Sequence, residues 1–311
     1  MTTAKLAAEH SALSTRAALA SVTLALILLI AKAWAAYATG STAMLGSLVD
    51  TALDVIASLT TLVGVRIAAI PADSDHRFGH GKAEALVALA QVVLIGVSAV
   101  GIGWRATDRL IHGAQTEAMG AGIAVSLLAI AFTFILLSYQ RRVIARTGSV
   151  AIKTDNVHYK SDLMLNGAVI VALVLDQALH IAGADAAFGI AIAFWLVWGG
   201  WRASGEAVNQ LMDREWPEQE RQHFLTACSD YPELEGLHDL RTRSSGTVRF
   251  AQFHVWVPAD WTVQQAHDRL DRVEEELQRR FPGTEILIHV DPQGQTDRET
   301  LLPQELTERA T

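Results

Sequence analysis

Six long apolar segments constrain the fold of this 311-residue chain more than any other feature. Each approaches the roughly 20 apolar residues with which an α-helix crosses the hydrocarbon core of a bilayer. The segments lie near residues 17–38, 45–68, 86–111, 119–140, 161–182 and 185–206. The first follows Lys5 and Arg16, as in a signal peptide, but the five further segments favour a retained helix. The sequence therefore predicts a bundle of six transmembrane helices.

Basic residues are distributed unevenly among the connections between these segments. The second and fourth connections hold or flank most of them, namely Arg66, Arg77, Lys82, Arg141, Arg142, Arg146 and Lys153. The other three connections, ATGST, HGAQTEAMG and HIAGADAA, contain neither Lys nor Arg. Cytoplasmic connections carry the excess of positive charge in membrane proteins. We therefore expect both termini to be cytoplasmic.

The charge balance changes near residue 206. Residues 1–206 hold 14 Lys and Arg against 13 Asp and Glu, whereas residues 207–311 hold 11 against 20. This change predicts a membrane domain followed by an acidic soluble domain, and the acidity argues against a nucleic-acid partner. The predicted parts are a cytoplasmic N-terminal segment (1–16), the transmembrane domain (17–206), a cytoplasmic domain (207–293) and a disordered tail (294–311).

The soluble domain has the pattern of a small α+β fold. In chain order the sequence predicts a helix over 217–230, strands LHDLRTR and TVRFAQFHVWV, a helix over 263–281 and a final strand TEILIHV. Ser244-Ser245-Gly246 is the expected hairpin turn between the first two strands. The order αββαβ predicts one helical layer on a sheet, a ferredoxin-like or metallochaperone-like domain.

Strand alternation places two histidines, His254 and His289, away from the predicted core. The apolar residues that share the opposite face are Phe253, Val255 and Val257 of one strand and Ile286, Ile288 and Val290 of the other. Together with His238, His267 and Asp291, the two histidines would suffice for one or two zinc-like ions. The residues alone are equally compatible with scattered surface histidines.

Two polar pairs lie inside the apolar segments. Asp50 and Asp54 are four residues apart in the second segment, and His158 and Asp162 repeat that spacing around the start of the fifth. Residues i and i+4 share one face of a helix, so each pair can direct two ligand atoms at one ion between the helices. An intramembrane charge costs ~2.5–3.5 kcal/mol on insertion scales, and three carboxylates there need a compensating partner.

A divalent cation is the partner that these four residues favour, over a structural polar cluster or a proton relay without metal. Nitrogen and oxygen ligands suit tetrahedral Zn²⁺ and also admit Fe²⁺, Cd²⁺, Co²⁺ or Mn²⁺, whereas Mg²⁺ prefers octahedral oxygen. Cys228 is the only cysteine, which excludes Cys-rich zinc sites. Asp73, His76 and His80 form another cluster in the second connection, where spacing alone slightly favours a solvated loop.

At these residues the chain resembles the cation diffusion facilitator family, and within it the bacterial zinc and ferrous-iron exporters. The matching stretches are LVDTALDVIASLTTL, PADSDHRFGHGKAEALVALAQ, HYKSDLMLNGAV, LHDLRTR, AQFHVWV with a following QQAH, and RRFPGTEILIHVDP. They occur in the family's order between residues 45 and 292. One departure is Val290, where relatives have Gln between the His and the Asp. It affects a polar contact and not the ligands.

The resemblance implies a homodimeric antiporter in the bacterial inner membrane, surrounded by lipid, that expels divalent metal in exchange for protons. Its transport site would be Asp50, Asp54, His158 and Asp162, and its loop site Asp73, His76 and His80. Its cytoplasmic site, at or beside the subunit contact, would be His238, His254, His267, His289 and Asp291. Lys82 and Asp213 match a charge pair with which family members hold their two membrane domains together.

Two other classes of protein compete with a transporter. An intramembrane metalloenzyme would be expected to carry a helical HExxH motif or a similar hydrolytic set, and the sequence has no HExxH. A metal sensor or receptor would bind the ion without moving it. Because only a transporter moves metal across a bilayer, a flux measurement separates a transporter from a sensor or receptor.

Overall fold

The computed structural model describes residues 3–39, 42–112, 119–179 and 184–293. Within these ranges six long helices come first: α1 (Thr3–Thr39), α2 (Thr42–Ala68), α3 (Ala83–His112), α4 (Met119–Thr147), α5 (Val150–Leu179) and α6 (Ala184–Leu211). Five of them contain a stretch long and apolar enough to cross a membrane over the described residues. The sixth, α5, is the one that carries His158 and Asp162. The predicted order of six helices followed by an αββαβ domain is confirmed.

Small residues allow the helices of the membrane unit to approach closely. Ala17, Ala18 and Ala151 are wholly buried where α1 meets α5, with Val143 of α4 in the same cluster. At Gly64 of α2 an added Cβ would overlap the side chain of Val87 on α3. Small residues at helix contacts are typical of membrane bundles, because backbone proximity provides the van der Waals packing that lipid cannot provide.

A second hydrophobic cluster joins α3 to α6. It comprises Ile95 and Ala99 of α3 and Ile192 and Leu196 of α6, with partly buried side chains of α5 packed against it. The helices α2 and α3 also contact α5 directly. The helix that carries His158 therefore has neighbours on several sides, which restricts where its polar side chains can lie.

The C-terminal unit begins at Asn209. Its elements are α7 (Glu218–Cys228), a short 3₁₀-helix (Pro232–Leu234), β1 (His238–Ser245), β2 (Val248–Val257), α8 (Val263–Arg280) and β3 (Thr284–Pro292). The sheet order is β1-β2-β3, with β1 and β2 antiparallel and β2 and β3 parallel. Because parallel strands need a crossover, α8 lies between β2 and β3 in the chain. The hairpin turn falls at Gly246 and Thr247, slightly later than predicted.

The core of this unit lies between one sheet face and α8. Phe253 and Val255 of β2 are buried, as the alternation predicted, and α8 contributes Leu270 and Leu277. Thr262 opens α8 with a capping box to Gln265, which satisfies two backbone N–H groups at the helix start.

The alternation prediction was wrong at the end of β3. Val290 is 38% exposed, although it was assigned to the core, and Asp291 is only 8% exposed. The hydrophobic cluster reaches Ile288 and goes no further along this edge strand. The Asp291 carboxylate is buried instead among histidines, as described below. The predicted tail over 294–311 lies outside the described residues, and the predicted domain boundaries stay predictions.

Candidate metal centres

The first candidate centre lies inside the membrane unit, where α2 faces α5. His158 Nε2 is 3.0 Å from Asp54 Oδ1 and 3.9 Å from Asp162 Oδ2. The three ligand atoms all lie within 4.8 Å of one another. The His158 side chain is 7% exposed and the carboxylates are 20% and 25% exposed, so the cluster is largely enclosed by the bundle. The four-residue spacing on α5 brings His158 and Asp162 to one face, as predicted from the sequence.

This geometry suits a single divalent cation. Zinc bonds to imidazole nitrogen and carboxylate oxygen at ~2.0–2.2 Å, so tetrahedral ligand atoms stand about 3.3 Å apart. Two ionised carboxylates beside a neutral imidazole carry two negative charges inside the membrane unit, which a cation would neutralise. The cluster therefore has the charge and the ligand atoms to hold one divalent cation.

Asp50, the fourth predicted ligand, does not lie with the other three in this structure. Its Oδ2 accepts a hydrogen bond from Nη1 of Arg105 on α3 at 2.7 Å, and its Oδ1 accepts one from Nη2 at 3.2 Å. Sequence reasoning missed Arg105, although an arginine inside the predicted membrane segment 86–111 is itself a signal of function. The guanidinium occupies the place beside Asp50 that a metal ion was expected to take.

Sequence reasoning also missed Asp155, which lies one turn before His158 on α5. Its carboxylate is fully buried and accepts hydrogen bonds from Ser21 Oγ on α1 at 2.7 Å and Gln140 Nε2 on α4 at 2.7 Å. Gln91 Nε2 on α3 lies 3.3 Å away. With Thr61 Oγ1 of α2 at 3.5 Å, donors from four other helices converge on this one side chain. These hydrogen bonds fix the rotation of α5 about its axis and its position along that axis. They thereby position His158 and Asp162.

The second candidate centre is the connection between α2 and α3. His76 Nδ1 and His80 Nε2 each lie 3.5 Å from an oxygen of Asp73, and the imidazole centroids are 4.3 Å apart. Backbone N–H groups of His76 and Asp75 donate to Asp73 Oδ1 at 2.6 and 2.9 Å. These hydrogen bonds, that from His76 above all, hold the pKa of the Asp73 carboxyl below its usual value. The structure thus brings together the three residues of the predicted loop site, with the carboxylate ready to bind a cation.

The third candidate centre is in the C-terminal unit, at one end of the sheet. Asp291 Oδ2 on β3 is 3.2 Å from His238 Nε2 on β1 and 2.9 Å from His254 Nδ1 on β2. His289 Nε2 lies 3.5 Å from Asp291 Oδ1 and its side chain is 61% exposed. His267 is an exposed residue of α8 and belongs to none of the metal-sized clusters found over the described residues. Four of the five predicted residues are therefore neighbours.

Hydrogen bonding fixes the tautomer of His238. Its Nδ1 is 2.8 Å from the carbonyl oxygen of Gly236, which can only accept, so Nδ1 carries the proton. In the neutral ring Nε2 then has a lone pair, and this atom faces the carboxylate of Asp291. Two electron-rich atoms in contact need a proton or a metal ion between them. A histidine whose second nitrogen donates to a backbone carbonyl is the usual arrangement around protein-bound metal.

The predicted charge pair is divided between the two units. Lys82 immediately precedes α3, and Asp213 follows α6 with a left-handed φ of 54°. Arg243 Nη1 lies 3.5 Å from Asp213 Oδ1. The pairing of Lys82 with Asp213 across subunits stays a prediction.

Comparison with known proteins identifies both units. Residues 18–212 match the family described as cation efflux transmembrane domain, and residues 216–293 match the cation efflux protein cytoplasmic domain. The chain is 42% identical over 285 residues to a protein named cation-efflux pump FieF from Klebsiella pneumoniae, covering 91% of this chain and 94% of that one. A protein of the same name from Serratia proteamaculans is 43% identical over 284 residues, with the same two coverages.

A third FieF, from Escherichia fergusonii, is 42% identical over 292 residues, covering 94% of this chain and 97% of the relative. A solved structure of CzrB in its zinc form is 33% identical, spans 28% of this chain and 99% of its own, and has a TM-score of 0.25, too low to bear on the fold. The two family matches together run through almost all of the described residues. The chain therefore belongs to the cation efflux family, the cation diffusion facilitators, and is a multi-pass membrane transporter and not an enzyme.

Proposed function

We propose that this protein exports divalent metal from the cytoplasm in exchange for protons, with Zn²⁺ as the main substrate and Fe²⁺ and Cd²⁺ as further substrates. The observation that carries the proposal is the cluster of Asp54, His158 and Asp162 inside the membrane unit. Two carboxylates and an imidazole at these distances select a doubly charged cation of borderline softness. The proposed setting is the bacterial inner membrane, with both termini cytoplasmic.

Proton coupling follows from the chemistry of the same ligands. Metal ligation requires a neutral imidazole and ionised carboxylates, so metal binding releases protons and protonation releases metal. Imidazole is the side chain whose charge changes near physiological pH. A cluster that faces the cytoplasm would take up metal in its deprotonated state. The same cluster facing an acidic exterior would be protonated as it gives up the ion, and rocking of helices around the fixed site would alternate its access.

Asp50 enters this cycle through Arg105. We propose that an arriving ion draws Asp50 into the cluster as a fourth ligand, and that the Asp50–Arg105 pair opens as it does so. When the ion leaves, the guanidinium neutralises Asp50 again. Arg105 would thus act as a tethered cation that competes with the metal for one carboxylate, which keeps binding weak enough for release.

The test of the proposal is metal flux into proteoliposomes with an imposed pH gradient. Zn²⁺ should accumulate against its gradient when the internal compartment is acidic, and collapse of the pH gradient by an ionophore should stop accumulation. Metal binding without flux would show a sensor or receptor and would reject transport. Flux that does not depend on the pH gradient would reject proton coupling but would still agree with metal transport.

Replacing His158 by aspartate should change metal selectivity more than it lowers transport. The change removes the one nitrogen ligand of the cluster and substitutes oxygen, which disfavours Zn²⁺ relative to harder ions such as Mn²⁺. We expect the Zn²⁺ preference over Mn²⁺ in competition assays to fall by about tenfold, which corresponds to ~1.4 kcal/mol. An unchanged ranking of metals would show that His158 is not a ligand.

The C-terminal domain is the proposed dimerisation and sensing element of a homodimer. A ligand that binds the associated form more tightly stabilises it by mass action. Isolated residues 207–311, which have their own hydrophobic core, should therefore associate at least about tenfold more tightly with Zn²⁺ in sedimentation. His238→Ala/His254→Ala should abolish this response, whereas His267→Ala, outside the cluster, should keep it. A zinc response equal to wild type in the double variant would make these histidines bystanders.

A further inference from the structure

A crevice of about 230 Å³ opens between α4, α5 and α6 of the membrane unit. Its lining has two chemically distinct parts. The cations Arg141 of α4 and Lys160 of α5 form one part, and Phe134, Met164 and Trp195 belong to the apolar part. The crevice is open to the outside of the bundle, because Phe134 is 63% exposed and Met164 is 39% exposed. A ligand in it would touch both protein and membrane.

The two parts lie at different positions along α4 and α5. With a rise of 1.5 Å per residue, Arg141 lies about 9 Å from the end of α4 at Thr147, and Lys160 about 15 Å from the start of α5 at Val150. Phe134 and Met164 lie deeper, about 20 Å from the same ends of their helices. The cations thus lie nearer to the basic connection between α4 and α5, and Phe134 and Met164 lie near the middle of the two helices.

No carboxylate lines the crevice, and neither cation forms an ion pair within the described part of the chain. By contrast, Lys153 of the same helix is paired with Glu206 at 2.5 Å. Two cations side by side repel each other. An anion from outside the protein would offset this repulsion.

We propose that the crevice binds one anionic phospholipid, with its phosphate between Arg141 and Lys160 and an acyl chain along Phe134 and Met164. Basic pockets between transmembrane helices on the cytoplasmic side are known sites for anionic headgroups. A free phosphate ion would satisfy the two cations but leave the apolar part facing water or empty. The order of charge and apolar surface matches a lipid and not a small ion.

The position of Lys160 links this site to transport. It lies between His158 and Asp162 in sequence, and residues two apart point to nearly opposite faces of a helix. A lipid held by Lys160 therefore packs behind the face of α5 that carries the metal cluster. The bound lipid would support α5 from the membrane side while Asp155 holds it from the protein side.

The experiment measures lipid retention by the purified full-length chain in detergent, using native mass spectrometry. The probes are phosphatidylglycerol, phosphatidylcholine with the same acyl chains, and inorganic phosphate. We expect wild type to retain phosphatidylglycerol at least fivefold more than phosphatidylcholine. Arg141→Gln/Lys160→Gln should lose that preference. Arg142→Gln/Arg146→Gln, which removes the same charge outside the crevice, should keep it.

Four outcomes would overturn the proposal. Wild type with equal retention of the two lipids would show no anionic site, and this comparison needs no variant to fold. Loss of preference in both double variants alike would show only general attraction to negative charge. Displacement of phosphatidylglycerol by millimolar inorganic phosphate would show a free-anion site. If Arg141→Gln/Lys160→Gln keeps the preference for phosphatidylglycerol but changes the ratio of monomer to dimer, a second copy of the chain covers this face.

Discussion

Asp162→Asn is expected to abolish metal transport, with Zn²⁺ flux reduced at least about 100-fold, since loss of even an outer-shell partner costs 10–100-fold. The side chain keeps its size but loses the negative charge that binds the cation, and Asp54 remains facing His158 alone. The same result is expected for Asp54→Asn. Flux of Zn²⁺ into proteoliposomes under a pH gradient measures the effect, with size-exclusion chromatography to establish that the variant is folded.

Asp108→Asn is the matched control, because Asp108 is also a carboxylate of the membrane unit but pairs with His112 on an exposed part of α3. Its flux should equal that of wild type. Normal flux in either Asp54→Asn or Asp162→Asn would place the transport site elsewhere. Equal loss in all three variants would indicate a general sensitivity of the bundle to removed charge and not a ligand role.

The elements of this fold could be predicted because each depends on a local pattern. Apolar length predicts the membrane helices, and strand alternation predicts which face of β2 holds Phe253 and Val255. Pro217 and Thr262 mark the starts of α7 and α8. Strand alternation gave a wrong prediction at the end of β3, where Asp291 is buried and Val290 is partly exposed. Asp291 is buried because two imidazoles surround its carboxylate, and the pattern of apolar residues contains no such information.

The site could be predicted in part for the same reason. The i,i+4 spacing of His158 and Asp162 is a local property, and their distances follow from the helix. The partner of Asp50 is not local, since Arg105 lies 55 residues away and reaches it only through the packing of α2 on α3. The hydrogen bonds to Asp155 likewise come from helices distant in sequence. Sequence spacing shows which residues can share an ion, but the packing decides which of them already have another partner.

Arg105→Met is expected to tighten metal binding and slow its release. Removing the guanidinium leaves Asp50 without its competitor and removes one positive charge that repels the ion. An exposed pair of this kind is worth up to about 1 kcal/mol, and the lost repulsion adds to it, so Kd should fall by about tenfold. Turnover at saturating Zn²⁺ should fall as well, because release becomes slower, while the Zn²⁺ concentration for half-maximal flux decreases.

Two variants separate this role from a merely structural one. Arg105→Lys keeps the positive charge beside Asp50 and should restore most of the turnover. Asp50→Asn should weaken binding and reduce the effect of a second change at Arg105 to the lost repulsion alone. Binding by calorimetry and flux should be measured on the same preparations.

Unchanged affinity in Arg105→Met with normal flux would show that the Asp50–Arg105 pair has no role in transport. The proposal of a transport site at Asp54, His158 and Asp162 would not be affected. Weaker binding in Arg105→Met would mean that the arginine holds Asp50 in place for the metal, which contradicts competition. Normal flux in Asp50→Asn would remove Asp50 from the ligands and with it the reason for Arg105 to act on release.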